Sequence, residues 1–115
     1  MPTELLFSYG TLQKREIQIA QFGRELTGWP DAVPGYTSRI LTVDDPAIAS
    51  LVGETETPNA EPSSNPEDAL TGVVFEITTE ELAAADRYEE AAHYRRASVT
   101  LRSGIQAWIY VHQPG

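Results

Sequence analysis

Short apolar runs broken by glycine and proline alternate along this chain, and most of them have the length and composition of strands. Leu5-Leu6-Phe7 is the first, and it predicts a strand over Glu4 to Tyr9. From Gln13 to Arg24 the spacing changes, with Ile17, Ala20 and Arg24 on one side of a short helix. Gly28-Trp29-Pro30 and Pro34-Gly35 punctuate the next stretch, which predicts a strand, a turn and a second strand over Ser38 to Val43. Ile48 to Val52 reads as a further short strand, and Thr71 to Ile77 as a strong one. Thr78 and Glu81 form a capping box for a helix running from Thr79 to Tyr88 or Glu90. Tyr94 to Leu101 and Gln106 to His112 then pair as a hairpin around Ser103-Gly104. There is no internal repeat and no heptad pattern.

Many short strands and two short helices place the chain in the α+β class. A small, strongly bent sheet, a mixed β-barrel of about five to seven strands, is the economical way to bury them. At 115 residues and 41% hydrophobic, the chain fits one domain with a real core. No apolar run approaches the ~18 residues of a membrane span. No basic start precedes a long apolar segment, so a secretory signal is not expected and a cytoplasmic location is the default. Cysteine is absent, which excludes disulfides, thiolate catalysis and zinc–sulfur sites.

Charge alters the picture in one region. The net charge is −9, from 17 acidic and 8 basic residues, and it weighs against a large nucleic-acid surface. Asp44 to Asp68 holds seven acidic residues, no basic one, and Pro46, Pro58, Pro62 and Pro66. This composition predicts a long, mobile, solvated loop at about residues 53–69. A solvated insertion is the plain reading; a lid or a partner-binding segment is the other.

Two places carry candidate chemistry. Tyr9-Gly10-Thr11-Leu12 ends the first strand, where a glycine-bearing turn can aim successive backbone amides at one anion. On the second helix, Glu89 lies two turns from Leu82 and shares a face with Ala85, whereas Glu90 is a quarter-turn away. A carboxyl on a core-facing stripe is costly when charged, so burial raises its pKa and can poise it as a general base. A frayed helix end with two solvated glutamates is the alternative. Tyr88, Tyr94 and Tyr110 are more often core or rim aromatics than site residues, and Arg95 and Arg96 more often structural ion-pair partners. His93 and His112 have no metal-ligand spacing to a carboxylate, so no metal is expected.

Together these pieces resemble the γ-glutamylcyclotransferase-like family. The resemblance rests on the Tyr-Gly-Thr-Leu turn, then Leu70-Thr71-Gly72-Val73-Val74-Phe75-Glu76-Ile77, Leu82, Asp86-Arg87-Tyr88-Glu89, Tyr94-Arg95-Arg96 and Ala107-Trp108-Ile109-Tyr110-Val111, in that order. It implies a small mixed β-barrel with flanking helices, and an enzyme that releases 5-oxoproline from a γ-glutamyl amide or amine. By the same resemblance Tyr9, Gly10, Thr11 and Leu12 form the substrate-binding loop and Glu89 is the catalytic base. Tyr94 and Tyr110 match cavity tyrosines, and Glu90 stands where relatives often carry glycine. The implied substrate is a small γ-glutamyl molecule, with no cofactor. A non-catalytic binding module of the same fold, or an interaction protein using its acidic segment, are the competing readings.

Overall fold

Leu6 and Phe7 are both almost wholly buried although they are neighbours on one strand. Successive strand side chains point to opposite faces, so this strand is covered on both sides. The computed structural model describes residues 3–42, 45–52 and 56–112, and it shows how. The strand is β1 (Thr3–Ser8), the middle of a five-stranded sheet. It runs antiparallel to β5 (Ala69–Thr78) and parallel to β7 (Gln106–His112). Outside these lie β2 (Thr27–Pro34), antiparallel to β5, and β6 (Tyr94–Thr100), antiparallel to β7. A separate two-stranded ribbon joins β3 (Tyr36–Thr42) to β4 (Glu56–Pro62).

The α+β class and the mixed sheet are as expected. The sheet is barrel-like but stays open, with β2 and β6 at its edges, because β3 and β4 pair only with one another. One face packs Leu6, Phe75 and Ile77 against Leu82, Ala85 and Tyr88. These last belong to α3 (Thr79–Ala91), beside α1 (Arg15–Phe22). The other face packs Phe7, Val74 and Ile109 with Val33, Leu101 and Ala60 of the ribbon. Burying large side chains on both faces supplies about 1.5–3 kcal/mol for each, the main force holding the domain.

The capping box is present at the start of α3. Thr78 Oγ1 accepts from the Glu81 amide at 3.1 Å, and Glu81 Oε1 accepts from the Thr78 amide at 2.9 Å. Arg24 grips the same carboxylate at 2.7 and 2.8 Å, which holds Glu81 below the ordinary carboxylate pKa. The helix expected over Gln13 to Arg24 is α1, preceded by a single 3-10 turn (Thr11–Gln13) and ended at Gly23 with φ of 76°.

Two expectations need correction. Ile48 to Val52 is not a strand but part of a helix, α2 (Pro46–Val52). Asp45 accepts from the Ala47 amide at 2.9 Å, and Pro46 follows as the first helical residue, a start signal that outweighs a short apolar run. There are thus three helices among the described residues instead of two. The acidic segment is not one long loop either, since Glu56–Pro62 is β4. Proline is tolerated there because a ribbon strand leaves one edge free of the ladder. Val43, at the expected end of β3, and residues 53–55 of the expected loop lie outside the described residues.

Candidate active site

Where β1 runs out, the chain turns sharply through Tyr9 and Gly10 into the 3-10 turn. The first hydrogen bond of that turn runs from the Gln13 amide to the Gly10 carbonyl, at 3.1 Å. The Thr11 and Leu12 amides come before it, so the turn itself gives them no acceptor. Gly10 has φ of −138°, so it is not there for a left-handed backbone. It leaves this wall of the pocket without a side chain: a Cβ there would stand 3.4 Å from Pro58 Cγ of β4.

Three side chains brace the turn. Tyr9 donates its hydroxyl proton to the Tyr110 carbonyl at 2.6 Å and accepts from the Ala60 amide at 3.0 Å. Thr11 Oγ1 lies 2.9 Å from the Tyr88 hydroxyl, which ties the turn to α3. The buried Gln18 donates to the Leu12 carbonyl at 2.8 Å and accepts from the Leu26 amide at 2.9 Å. Leu12 itself sends its side chain into the core. Gln18 is invisible to sequence reasoning, because nothing in the helical pattern marks a glutamine as buried.

A pocket with about 450 Å³ of space, its mouth included, opens beside this turn. Tyr9, Gly10, Thr11 and Leu12 line it, and so do Glu89, Tyr94 and Tyr110. All seven residues that the resemblance assigns to a site therefore line one pocket. Pro58 lines it as well, and sequence reasoning misses this because it places Pro58 in a solvated loop. The strand β4 is held there by the Tyr94 hydroxyl, which donates to the Pro58 carbonyl at 2.9 Å. A second tether is the His112 amide, which donates to Asn59 Oδ1 at 2.9 Å.

The two glutamates separate cleanly. Glu90 is exposed and takes no part in the pocket, whereas Glu89 is half-buried and lines it. Burial pushes the Glu89 carboxyl up to about 8. Such a group gives up and takes back a proton near neutrality, as a general base must. Burial also raises Tyr9 and Tyr110, which keeps both hydroxyls protonated; for Tyr110 the Asp86 carboxyl, accepting its proton at 2.7 Å, adds to the effect.

The remaining candidates lie elsewhere. Arg96 stacks over Trp108, 4.3 Å from the ring centre, and reaches Asp86 at 3.5 Å, a structural pairing; Arg95 is exposed. The His112 ring meets Tyr94 edge-on at 5.3 Å, and burial holds its pKa below the usual histidine value. His93, exposed, takes φ of 67° in the link from α3 to β6. Among the described residues no three His, Asp or Glu side chains gather as metal ligands do, and no helix is long and apolar enough to cross a membrane.

Comparison with known proteins shows a family and a fold. The family model described as gamma-glutamyl cyclotransferase, AIG2-like, matches residues 6–115. A solved structure titled gamma-glutamyl cyclotransferase superposes with a TM-score of 0.71 at 15% identity, over 97% of this chain and 68% of that one. The uncharacterized protein loc79017 from Homo sapiens gives 0.75 at 16% identity, over 99% and 69%. The At5g39720.1 protein from Arabidopsis thaliana gives 0.74 at 19% identity, over 97% and 70%. At these identities the likeness is one of fold. Among curated proteins, none matches by sequence.

Proposed function

The chain belongs to the gamma-glutamyl cyclotransferase, AIG2-like family, and on that footing we propose that its pocket converts a γ-glutamyl amide or amine into 5-oxoproline and a free amine. The observation that carries this reading is Glu89, a carboxyl of raised pKa in a pocket walled by the Tyr9–Leu12 turn.

A γ-glutamyl group brings its own nucleophile. Its α-amine attacks the γ-carbonyl carbon, a C–N bond forms to close a five-membered ring, and the bond from that carbon to the acceptor nitrogen breaks. The step is intramolecular, so a pocket that holds the chain folded supplies much of the acceleration. Proton transfers remain. The ammonium must lose one proton before attack, and the ring nitrogen a second once the C–N bond has formed. The leaving nitrogen gains one to depart as the amine, and the other ends on that amine as its ammonium form or in water. Glu89 relays these protons, first as base and then as acid, and ends as it began. No electron changes hands, so the chemistry calls for no redox cofactor. The Thr11 and Leu12 amides bind the substrate α-carboxylate and lend partial support to the oxyanion that forms on the γ-carbonyl.

The test is an assay for 5-oxoproline over γ-glutamyl amino acids, γ-glutamyl-ε-lysine, glutathione and γ-glutamyl amines. At least one should be turned over, and Glu89→Gln should bind it yet lose about 10³-fold or more in rate. Glu90→Gln should stay within about twofold, since that side chain is in solvent. Wild-type turnover by Glu89→Gln would remove Glu89 from the mechanism.

A further inference from the structure

Three tyrosines line the pocket that holds Glu89, and each has its one hydroxyl proton committed to another acceptor. Tyr9 donates to the Tyr110 carbonyl at 2.6 Å, Tyr94 to the Pro58 carbonyl at 2.9 Å, and Tyr110 to Asp86 Oδ1 at 2.7 Å. Two of these acceptors are backbone carbonyls. The third is a side chain, and it lies on α3 one turn before Glu89.

We infer that Asp86 is a positioning residue: by taking the Tyr110 proton it keeps that hydroxyl from donating to Glu89, and so reserves the Glu89 carboxyl for the substrate ammonium. A carboxylate that accepts an O–H hydrogen bond is stabilised in its charged form and becomes a weaker base. With Tyr110 engaged elsewhere, its hydroxyl does not compete with the substrate for Glu89.

The surroundings of Asp86 fit this role. Arg96 Nε lies 3.5 Å from the same Asp86 oxygen that accepts from Tyr110. Arg96 is steadied over the Trp108 ring, and Trp108 Nε1 in turn donates to Glu4 at 3.1 Å. The carboxyl is thus braced from the outer side while its inner contact is the pocket tyrosine. The titratable groups that line the pocket with Glu89 are Tyr9 in the turn after β1, Tyr94 from β6 and Tyr110 from β7, while Asp86 contacts Tyr110 and Arg96. Burial is what holds Glu89 high.

The functional meaning of Asp86 rests on the proposed reaction, but its physical claim is tested without turnover. Protein labelled with ¹³C at glutamate side-chain carboxyls is titrated by NMR, with the Glu89 signal identified by its loss in Glu89→Gln. In Tyr110→Phe the Glu89 midpoint should stay within about 0.3 pH unit of wild type, because the lost hydroxyl was not serving it. In Asp86→Asn the charge goes but an acceptor for Tyr110 stays. In Asp86→Ala the hydroxyl is released as well, and the midpoint should fall about one unit further than in Asp86→Asn. With Tyr110→Phe added, that difference should vanish.

A Glu89 midpoint that rises in Tyr110→Phe alone overturns the inference, and so does an Ala–Asn difference that survives the loss of the hydroxyl. Should Asp86→Ala not fold, Tyr110→Phe still decides. The 5-oxoproline assay is separate: if every substrate is refused while the titrations come out as stated, the proposed reaction fails and the role of Asp86 stands.

Discussion

Tyr9 donates its hydroxyl to the carbonyl of Tyr110 at 2.6 Å, a bond that spans 101 positions of the chain. The same oxygen accepts from the Ala60 amide of the ribbon, so one side chain joins β1, β7 and β4. Tyr9→Phe keeps the ring and leaves that amide and that carbonyl without this partner. It should cost about 2 kcal/mol and lower the melting temperature by about 5–10 °C. Calorimetry of the variant checks the value, and a fall under 1 °C would show that water replaces the hydroxyl.

The raised Glu89 pKa shapes the expected pH–rate profile. Glu89 must be a carboxylate to remove the ammonium proton, so kcat/KM should climb with pH through about 8 and then level. A carboxylate with the ordinary pKa would give a rising limb near 4–5. Rates between pH 5 and 10 distinguish the two.

The same carboxyl leaves a mark on stability. Its folded pKa is raised to about 8 from 4.5, so between those values the unfolded chain has released a proton that the folded chain retains. Stability is full below 4.5, falls as pH rises towards 8, and is lowest above it. Glu89→Gln escapes this loss. Its advantage in melting temperature should be near zero at pH 4 and reach several degrees at pH 9, equivalent to about 2 kcal/mol after allowance for the pocket's access to water. A gap that does not change with pH would mean that Glu89 ionises without penalty.

Gly72 sits across from β1 just before the Tyr9 turn. A Cβ at this position would lie 2.3 Å from the Ser8 carbonyl oxygen and 2.7 Å from Phe7 Cζ. The backbone oxygen cannot yield without moving the end of β1. Gly72→Ala should therefore cost about 3 kcal/mol and weaken substrate binding as the turn shifts. Thermal melting and KM on one preparation test both effects, and an intact KM would mean that the strain is taken up elsewhere.

What the sequence discloses here depends on how local the cause is. The Thr78–Glu81 capping box and the β6–β7 hairpin are set by residues a few positions apart, and both are read correctly. Glu89 is legible because its helical period places it with Leu82 and Ala85. The helix α2 is missed because Ile48 to Val52 is too short to show a period, and Asp45-Pro46 is not taken as a helix start. The strand β4 is missed for another reason. Its register with β3 and its bonds to Tyr9, Tyr94 and His112 involve distant residues, and its acidic, proline-rich composition points the other way. Pro58 is lost from the candidate site with it.

The parallel pairing of β1 with β7 joins segments that are synthesised far apart in time. Tyr9 leaves the ribosome 101 residues before Tyr110. A nascent chain stalled before β7 has Glu89 and the turn but no Asp86–Tyr110 contact and no acceptor for the Tyr9 proton. The pocket is thus incomplete until β7 lies beside β1.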